Sequence, residues 1–141
     1  MDNLSKEMNN KIQESKDTLD FIQGYRYCML WASLGDEEDC EFLSNKYDVD
    51  DMADETIAKV HHDCMAFLNE TKEILKPFIT EEYTMSSAGH DFFLTRNRHG
   101  AGFWDRENLD KDKTGNKLTD IAHKFGESDV YVGDDNKIYV Q

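Results

Sequence analysis

The prediction of the fold depends on one stretch of the chain, residues 88–106, which reads Ala88-Gly-His-Asp-Phe-Phe-Leu-Thr-Arg-Asn-Arg-His-Gly-Ala-Gly-Phe-Trp-Asp-Arg106. From Asp91 to Asn97 it is rich in aromatic and β-branched residues, which favour a strand. Two glycines, Gly100 and Gly102, then supply a flexible turn. Residues 103–106 are expected to return as the second strand, so the stretch predicts an antiparallel hairpin.

Upstream of this hairpin, the spacing of apolar residues predicts two long helices. Apolar side chains recur at helical intervals from about residue 3 to residue 34. The pattern resumes near Asp50, where carboxylates suit the positive end of a helix dipole, and Pro77 ends it.

Downstream, the sequence predicts a short helix and a second hairpin. The helix carries a regular apolar stripe, and Gly126 ends it. The members of that stripe are Leu118, Ile121, Ala122 and Phe125. Residues 130–132 and 138–140 then flank a Gly-Asp-Asp-Asn turn. The predicted fold class is therefore α+β, with two N-terminal helices followed by a β-β-α-β-β small antiparallel sheet.

The length and composition bound the organisation of the chain. With 141 residues, 38% of them hydrophobic, we expect a single domain over 1–141, with a helical part at about 3–79 and an α+β part at about 88–141. The three cysteines are odd in number and irregularly spaced, which favours a reducing compartment. Since neither a signal peptide nor a membrane-spanning apolar run is recognisable, we expect a cytoplasmic location and no membrane partner.

The chain is strongly acidic. Its net charge of −14 excludes ordinary binding to nucleic-acid phosphates, because like charges repel. Between Asp36 and Glu55 there are ten acids and one base, Lys46. We interpret these acids as an acidic interaction surface, whose members are Asp36, Glu37, Glu38, Asp39, Glu41, Asp48, Asp50, Asp51, Asp54 and Glu55.

The predicted hairpin carries more basic than acidic residues, in contrast to the acidic chain around it. Its arginines and histidines offer planar donors to a phosphate, a carboxylate or an acidic patch on a protein. The predicted binding residues are His90, Asp91, Arg96, Asn97, Arg98, His99, Gly100, Gly102, Trp104 and Arg106. The alternative is that Arg96 and Arg106 pair across the strands with Asp91 and Asp105. Both interpretations stay open at this stage.

The same stretch resembles a family of small tailed-bacteriophage proteins. The similar blocks are Ala-Gly-His-Asp-Phe, Leu-Thr-Arg-Asn and His-Gly-Ala-Gly-Phe-Trp-Asp-Arg, followed by Leu118-Thr-Asp-Ile-Ala-His123 and Tyr131-Val-Gly-Asp-Asp135. The resemblance covers about the last 55 residues. The chain departs from the family at Phe93, where Trp is more common, and at Arg98, where Gly is more common. The resemblance implies a viral accessory protein in the cytoplasm of the host cell, and it implies no particular activity.

Metal and enzyme chemistry are the competing interpretations. His61 and Cys64 lie three residues apart, but the paired spacing typical of zinc sites is absent from the sequence. A β-β-α order with His99 on the hairpin and Asp120 and His123 on the helix is similar to the ββα-metal nucleases. However, an acidic chain lacks the basic approach surface that a nuclease needs. We therefore predict no catalytic residues, no metal and no cofactor.

Two functional hypotheses follow. The first is a non-enzymatic acidic phage accessory protein that binds and modulates or inhibits another protein. The expected target is a host or phage nucleic-acid-processing or defence enzyme, because spaced carboxylates can imitate nucleic-acid phosphates. An apolar strip on the first helix would also allow a homodimer. The second hypothesis is a small enzyme, or a module that binds a ligand or phosphate through the Arg/His/Gly hairpin.

Overall fold

The structure, a computed structural model, describes residues 2–34, 42–110 and 113–141, and 68% of it is helical. The regular elements are α1 (Asp2–Ala32), α2 (Asp54–Leu75), α3 (Met85–Arg96), α4 (Thr114–His123), β1 (Val130–Val132) and β2 (Ile138–Val140). Short 3₁₀ turns occupy residues 43–45, 49–51, 76–78, 103–105 and 107–109. Half of the predicted acidic surface, Asp36, Glu37, Glu38, Asp39 and Glu41, lies outside the described residues.

The two long N-terminal helices are confirmed, with one boundary shifted. The second helix begins at Asp54 and not near Asp50, because residues 49–51 form a separate 3₁₀ turn. Asp48 caps that turn: its carboxylate accepts from the backbone N–H of Val49 at 2.6 Å, and its own N–H donates to Asp51 at 2.8 Å. Because Asp48 and Asp51 cap this turn locally, residues 49–51 do not extend helix α2 towards the N-terminus.

The predicted first hairpin is wrong, since its first strand is the buried helix α3. Thr84 and Ser87 cap the start of this helix reciprocally. Every residue from Asp91 to Arg96 is buried. A helix enclosed by neighbours on all sides carries apolar residues all around it, so it shows no stripe with helical period. The run of aromatic and β-branched residues therefore has a composition that is typical of a strand, although it forms a helix.

The predicted return strand is wrong as well. Residues 103–105 form a 3₁₀ turn that folds back onto α3. The backbone N–H of Phe103 donates to the Thr95 hydroxyl at 3.0 Å, and that of Gly102 donates to Asp105 at 3.0 Å. The β-β-α-β-β prediction is thereby overturned: the chain is a helix-rich α+β fold, and the described residues contain only the two-stranded sheet at the C-terminal end.

The short helix and the C-terminal hairpin are confirmed. Strands β1 and β2 are antiparallel, and Tyr131 pairs with Tyr139. Ile138, which is fully buried, hydrogen-bonds the hairpin to the start of α2. Its carbonyl oxygen accepts from the Ala53 N–H at 3.1 Å and from the Thr56 hydroxyl at 2.8 Å. This long-range contact ties the last residues of the chain to its middle.

Aromatic rings form the centre of the core. The Phe67 ring of α2 stacks on Phe92 of α3 with 4.1 Å between centroids. It also packs against Phe21 of α1 at 5.9 Å and Phe103 of the 3₁₀ turn at 5.7 Å. Each ring comes from a different element, so this one cluster packs α1, α3 and the 3₁₀ turn at 103–105 against α2.

Helices α1 and α3 cross at unusually close range, and two glycines permit it. A Cβ atom on Gly89 would overlap the carbonyl oxygen of Phe21, and a Cβ on Gly24 would overlap that of Ser86. At this crossing the backbones touch without intervening side chains, so side chains larger than hydrogen are excluded.

Replacing Gly89 with alanine should lower the free energy of unfolding by about 1–3 kcal/mol, because the helices must separate to admit a methyl group. The gain of up to about 1 kcal/mol in helix propensity does not offset a backbone overlap. Urea denaturation measures the difference. Gly100→Ala is the matched control, since a Cβ there meets nothing within 4 Å. Equal denaturation midpoints for the two variants would contradict the close crossing.

Candidate functional site

The structure disperses the predicted binding residues. His90, Asp91 and Arg106 line one cleft, whose other lining residues belong to α1, to the first turn of α3 and to the segments beside α3. Arg96 lies buried away from this cleft lining, and the remaining members occupy the end of α3 and the loop after it. Those remaining members are Asn97, Arg98, His99, Gly100, Gly102 and Trp104.

Arg96 is 3% exposed, and its guanidinium is fully engaged inside the molecule. It donates to the Asp63 carboxylate at 2.8 Å and to the Tyr25 hydroxyl at 3.1 Å. It also donates to the backbone carbonyls of Gly126 at 2.9 Å and Phe125 at 3.1 Å. The guanidinium thus joins α1, α2 and α3 to the turn that follows α4.

The surroundings of Arg96 suit a charge held out of water. Its guanidinium carbon lies 5.5 Å from the centroid of the Phe92 ring and 6.0 Å from that of Phe125. Burial raises the pKa of Tyr25, so its hydroxyl stays neutral and can accept the hydrogen bond. This arginine is a structural element, and its donors are not available to an external ligand.

A second internal ion pair joins Asp91 to Arg106. The Asp91 carboxylate accepts from Nε of Arg106 at 3.0 and 3.1 Å and from its Nη2 at 2.7 Å. The Tyr83 hydroxyl donates to the same carboxylate at 2.7 Å. Hydrogen bonding to Asp91 raises the pKa of Arg106. The expected pairing of Arg106 with Asp91 is therefore present, although it connects a helix to a turn and not two strands, whereas Arg96 pairs with Asp63.

The cleft beside this pair has a volume of about 380 Å³ and is polar. His90 lies at its edge, with its ring centroid 5.2 Å from that of Trp31. Burial lowers the pKa of His90, so the imidazole is neutral at neutral pH. Since Glu82 and Asp91 also line the cleft and Arg106 is already paired, its charge does not favour a phosphate.

Sequence reasoning missed a second cleft, of about 370 Å³, where the C-terminal hairpin meets α2. We call it the acid–tyrosine face. It is lined by Glu55, Tyr131, Gly133, Asp134, Asp135 and Tyr139. Only Glu55 belonged to the predicted acidic surface. Its neighbours join it because Ile138 holds the hairpin on Ala53 and Thr56, which lie on either side of Glu55 in the chain.

The two tyrosines of this face form an ordered platform. Their rings stack with 5.6 Å between centroids and 20° between planes. The Tyr139 hydroxyl donates to Asp135 at 2.7 Å. This hydrogen bond lowers the pKa of Asp135 and raises the pKa of Tyr139 to about 12. The carboxylate therefore remains charged, and the neighbouring ring is fixed in place.

The described residues do not form the metal site or the nuclease site that the competing interpretations require. Within the described ranges there is no group of three or more His, Cys, Asp or Glu side chains that could hold a metal ion. Cys64 is fully buried in the core, where burial raises its thiol pKa. His99 follows a helix and not a strand, so the β-β-α order that suggested a nuclease does not exist. No helix in the described part of the chain is long and apolar enough to cross a membrane.

Replacing Arg96 with methionine should lower the free energy of unfolding by about 3–5 kcal/mol, because the buried Asp63 carboxylate loses its buried partner and keeps only the half-exposed Lys59, 3.0 Å away. Urea or thermal denaturation measures this loss. The matched control is Arg98→Met, a position whose side chain is exposed. In an Arg96→Met/Asp63→Asn double variant part of the stability should return, since the buried carboxylate that has lost Arg96 is then neutral. An Arg96→Met protein as stable as the control would show that the pair contributes nothing.

Comparisons with protein-family models, with curated proteins and with solved structures gave no match to this chain. The resemblance to small tailed-bacteriophage proteins therefore stays a prediction. The two clefts, the internal ion pairs and the distribution of charge are what bear on function.

Proposed function

We propose that this chain is a non-enzymatic binding protein that attaches to a basic surface of another protein through its acid–tyrosine face. The supporting observation is the docking of Ile138 on the start of α2, which places Asp134 and Asp135 in one cleft with Glu55. Carboxylates that are distant in the sequence thus act together on a single partner.

Charge density favours a cationic partner. Four further acids lie directly before Glu55 in the chain, namely Asp48, Asp50, Asp51 and Asp54. With a net charge of −14, the molecule attracts basic surfaces over about a Debye length, and salt weakens that attraction. Steering of this kind raises the association rate more than it raises the affinity.

The tyrosine pair adds a specific contact to this general attraction. Faces of aromatic rings attract arginine and lysine side chains, and arginine also stacks on them. Tyr131 is exposed, and Asp135 orients the ring of Tyr139. A guanidinium that enters the cleft would meet ring faces and carboxylates at once, so we expect arginine to be preferred over lysine.

We propose a host or phage nucleic-acid-processing or defence enzyme as the target, with binding that modulates or inhibits it. Enzymes that act on nucleic acids carry basic grooves for phosphates, and spaced carboxylates can occupy such a groove. The resemblance to bacteriophage proteins supports this choice of target. The alternative, a ligand-binding module built on the Arg/His segment, is less well supported because Arg96 and Arg106 are engaged internally.

The first test uses a fluorescent hexa-arginine peptide as the probe. The double variant Glu55→Gln/Asp134→Asn should bind it roughly 3- to 10-fold more weakly than the unchanged protein, because two exposed carboxylates are neutralised. Fluorescence anisotropy at several salt concentrations measures both the affinity and its salt dependence. The control, Glu70→Gln/Glu73→Gln, removes the same charge from exposed positions on α2. Equal weakening by both variants would mean that only net charge matters.

The same two variants then serve as baits for capture from cell lysate. An enzyme retained by the unchanged protein and by the Glu70/Glu73 control, but lost with the Glu55/Asp134 variant, is the expected result. An enzyme retained equally by all three proteins would overturn the assignment of the acid–tyrosine face as its binding site.

A further inference from the structure

We propose that the first half of α1 pairs with a second copy of this chain in an antiparallel helix dimer. Residues 3–16, here called the projecting segment, are all exposed, whereas α1 first becomes buried at Phe21. At 1.5 Å per residue, these residues extend about 20 Å beyond the packed part of the helix. No described element packs over them.

An apolar stripe follows this segment and continues into the core. Its members are Leu4, Met8, Ile12 and Leu19, which are 64%, 57%, 65% and 63% exposed. The next residue in the row, Ile22, is only 8% exposed. At 100° per residue all five lie within an arc of about 80°. The helix face that packs in the core is thus left uncovered where the helix projects.

The charge of the projecting segment distinguishes it from the rest of the molecule. It holds three lysines and two glutamates, a net +1, in a chain whose total is −14. Two acidic bodies repel each other strongly, whereas two projecting segments, at +1 each, repel each other only weakly. The stripe is therefore the surface on which a second copy can approach most favourably.

The charged residues beside the stripe are complementary to the same residues of a second copy. Glu7 and Lys11 lie on the same side of the stripe, one turn apart. In a two-fold antiparallel pair centred at Asn9, Glu7 of each copy lies level with Lys11 of the other. The same arrangement interleaves Leu4, Met8 and Ile12 with the matching side chains of the second copy. A symmetric contact of this type closes on itself and does not propagate into fibres.

The area that the contact buries limits the affinity of the dimer. Two helices that overlap over about 20 Å bury on the order of 1,000 Å² in total, which is near the lower limit for specific interfaces. We therefore expect a dimer with a dissociation constant in the micromolar range, which forms and separates with concentration. This inference concerns a surface separate from the acid–tyrosine face, so either proposal can fail without the other.

Sedimentation of the whole chain over a range of concentrations is the first test. The unchanged protein should shift from monomer to dimer, and Met8→Lys should weaken the dimer at least tenfold. Asn10→Lys, which adds the same charge on the opposite side of the helix, should leave it within about twofold. A monomer at every concentration, or a dimer that is insensitive to Met8→Lys, would overturn the proposal.

Mixing two charge variants tests the antiparallel register. Glu7→Lys and Lys11→Glu should each form weaker dimers than the unchanged protein, because like charges meet across the interface. An equimolar mixture should recover dimer, since both contacts between a Glu7→Lys chain and a Lys11→Glu chain then place a lysine opposite a glutamate. Each chain in the mixture still lacks its own Glu7–Lys11 contact, so repair within one helix cannot explain recovery. Failure of the mixture to dimerise would rule out this register.

Discussion

The buried guanidinium of Arg96 is the constraint on which the rest of the structure depends. A charge removed from water is tolerated only where hydrogen bonds and counter-charge replace its hydration, and here four acceptors do so. Because those acceptors come from α1, α2 and the turn after α4, one side chain of α3 connects all four helical parts of the fold. The Arg96 ion pair thus links the helices at one point, while the phenylalanine cluster forms the centre of the apolar core.

The sequence reveals the elements that face solvent on one side. Helices α1, α2 and α4 and the C-terminal hairpin were predictable, because a half-buried element must alternate apolar and polar residues with its own period. Helix α3 was not, because it is enclosed and its residues Asp91 to Arg96 are all buried. The strongest cue to its helical start was the Thr84–Ser87 pair, whose reciprocal capping requires a helix after it. The glycines at the crossing with α1 were interpretable only once the partner backbone was known.

The candidate site shows the same division between local and long-range information. The acids near Glu55 and the tyrosines of the hairpin are visible in the sequence as separate patterns. Their meeting depends on one carbonyl, that of Ile138, which accepts from Ala53 and Thr56 more than 80 positions away in the chain. Spacing along the chain cannot reveal a contact of that kind. In contrast, two of the three arginines that looked available in the sequence, Arg96 and Arg106, form ion pairs inside the fold.

Because Arg96 and Arg106 are paired inside the molecule, they do not offset the negative charge of its surface. The two proposed contacts are related through this charge. A single acid–tyrosine face offers exposed carboxylates, each of which contributes little in water. A dimer through the projecting segments would carry two such faces on one particle. When both engage the same basic surface, the second contact becomes intramolecular, and the overall affinity exceeds that of either face alone. Pairing through the projecting segments would therefore convert a weak electrostatic attraction into binding that is stable enough to modulate a target.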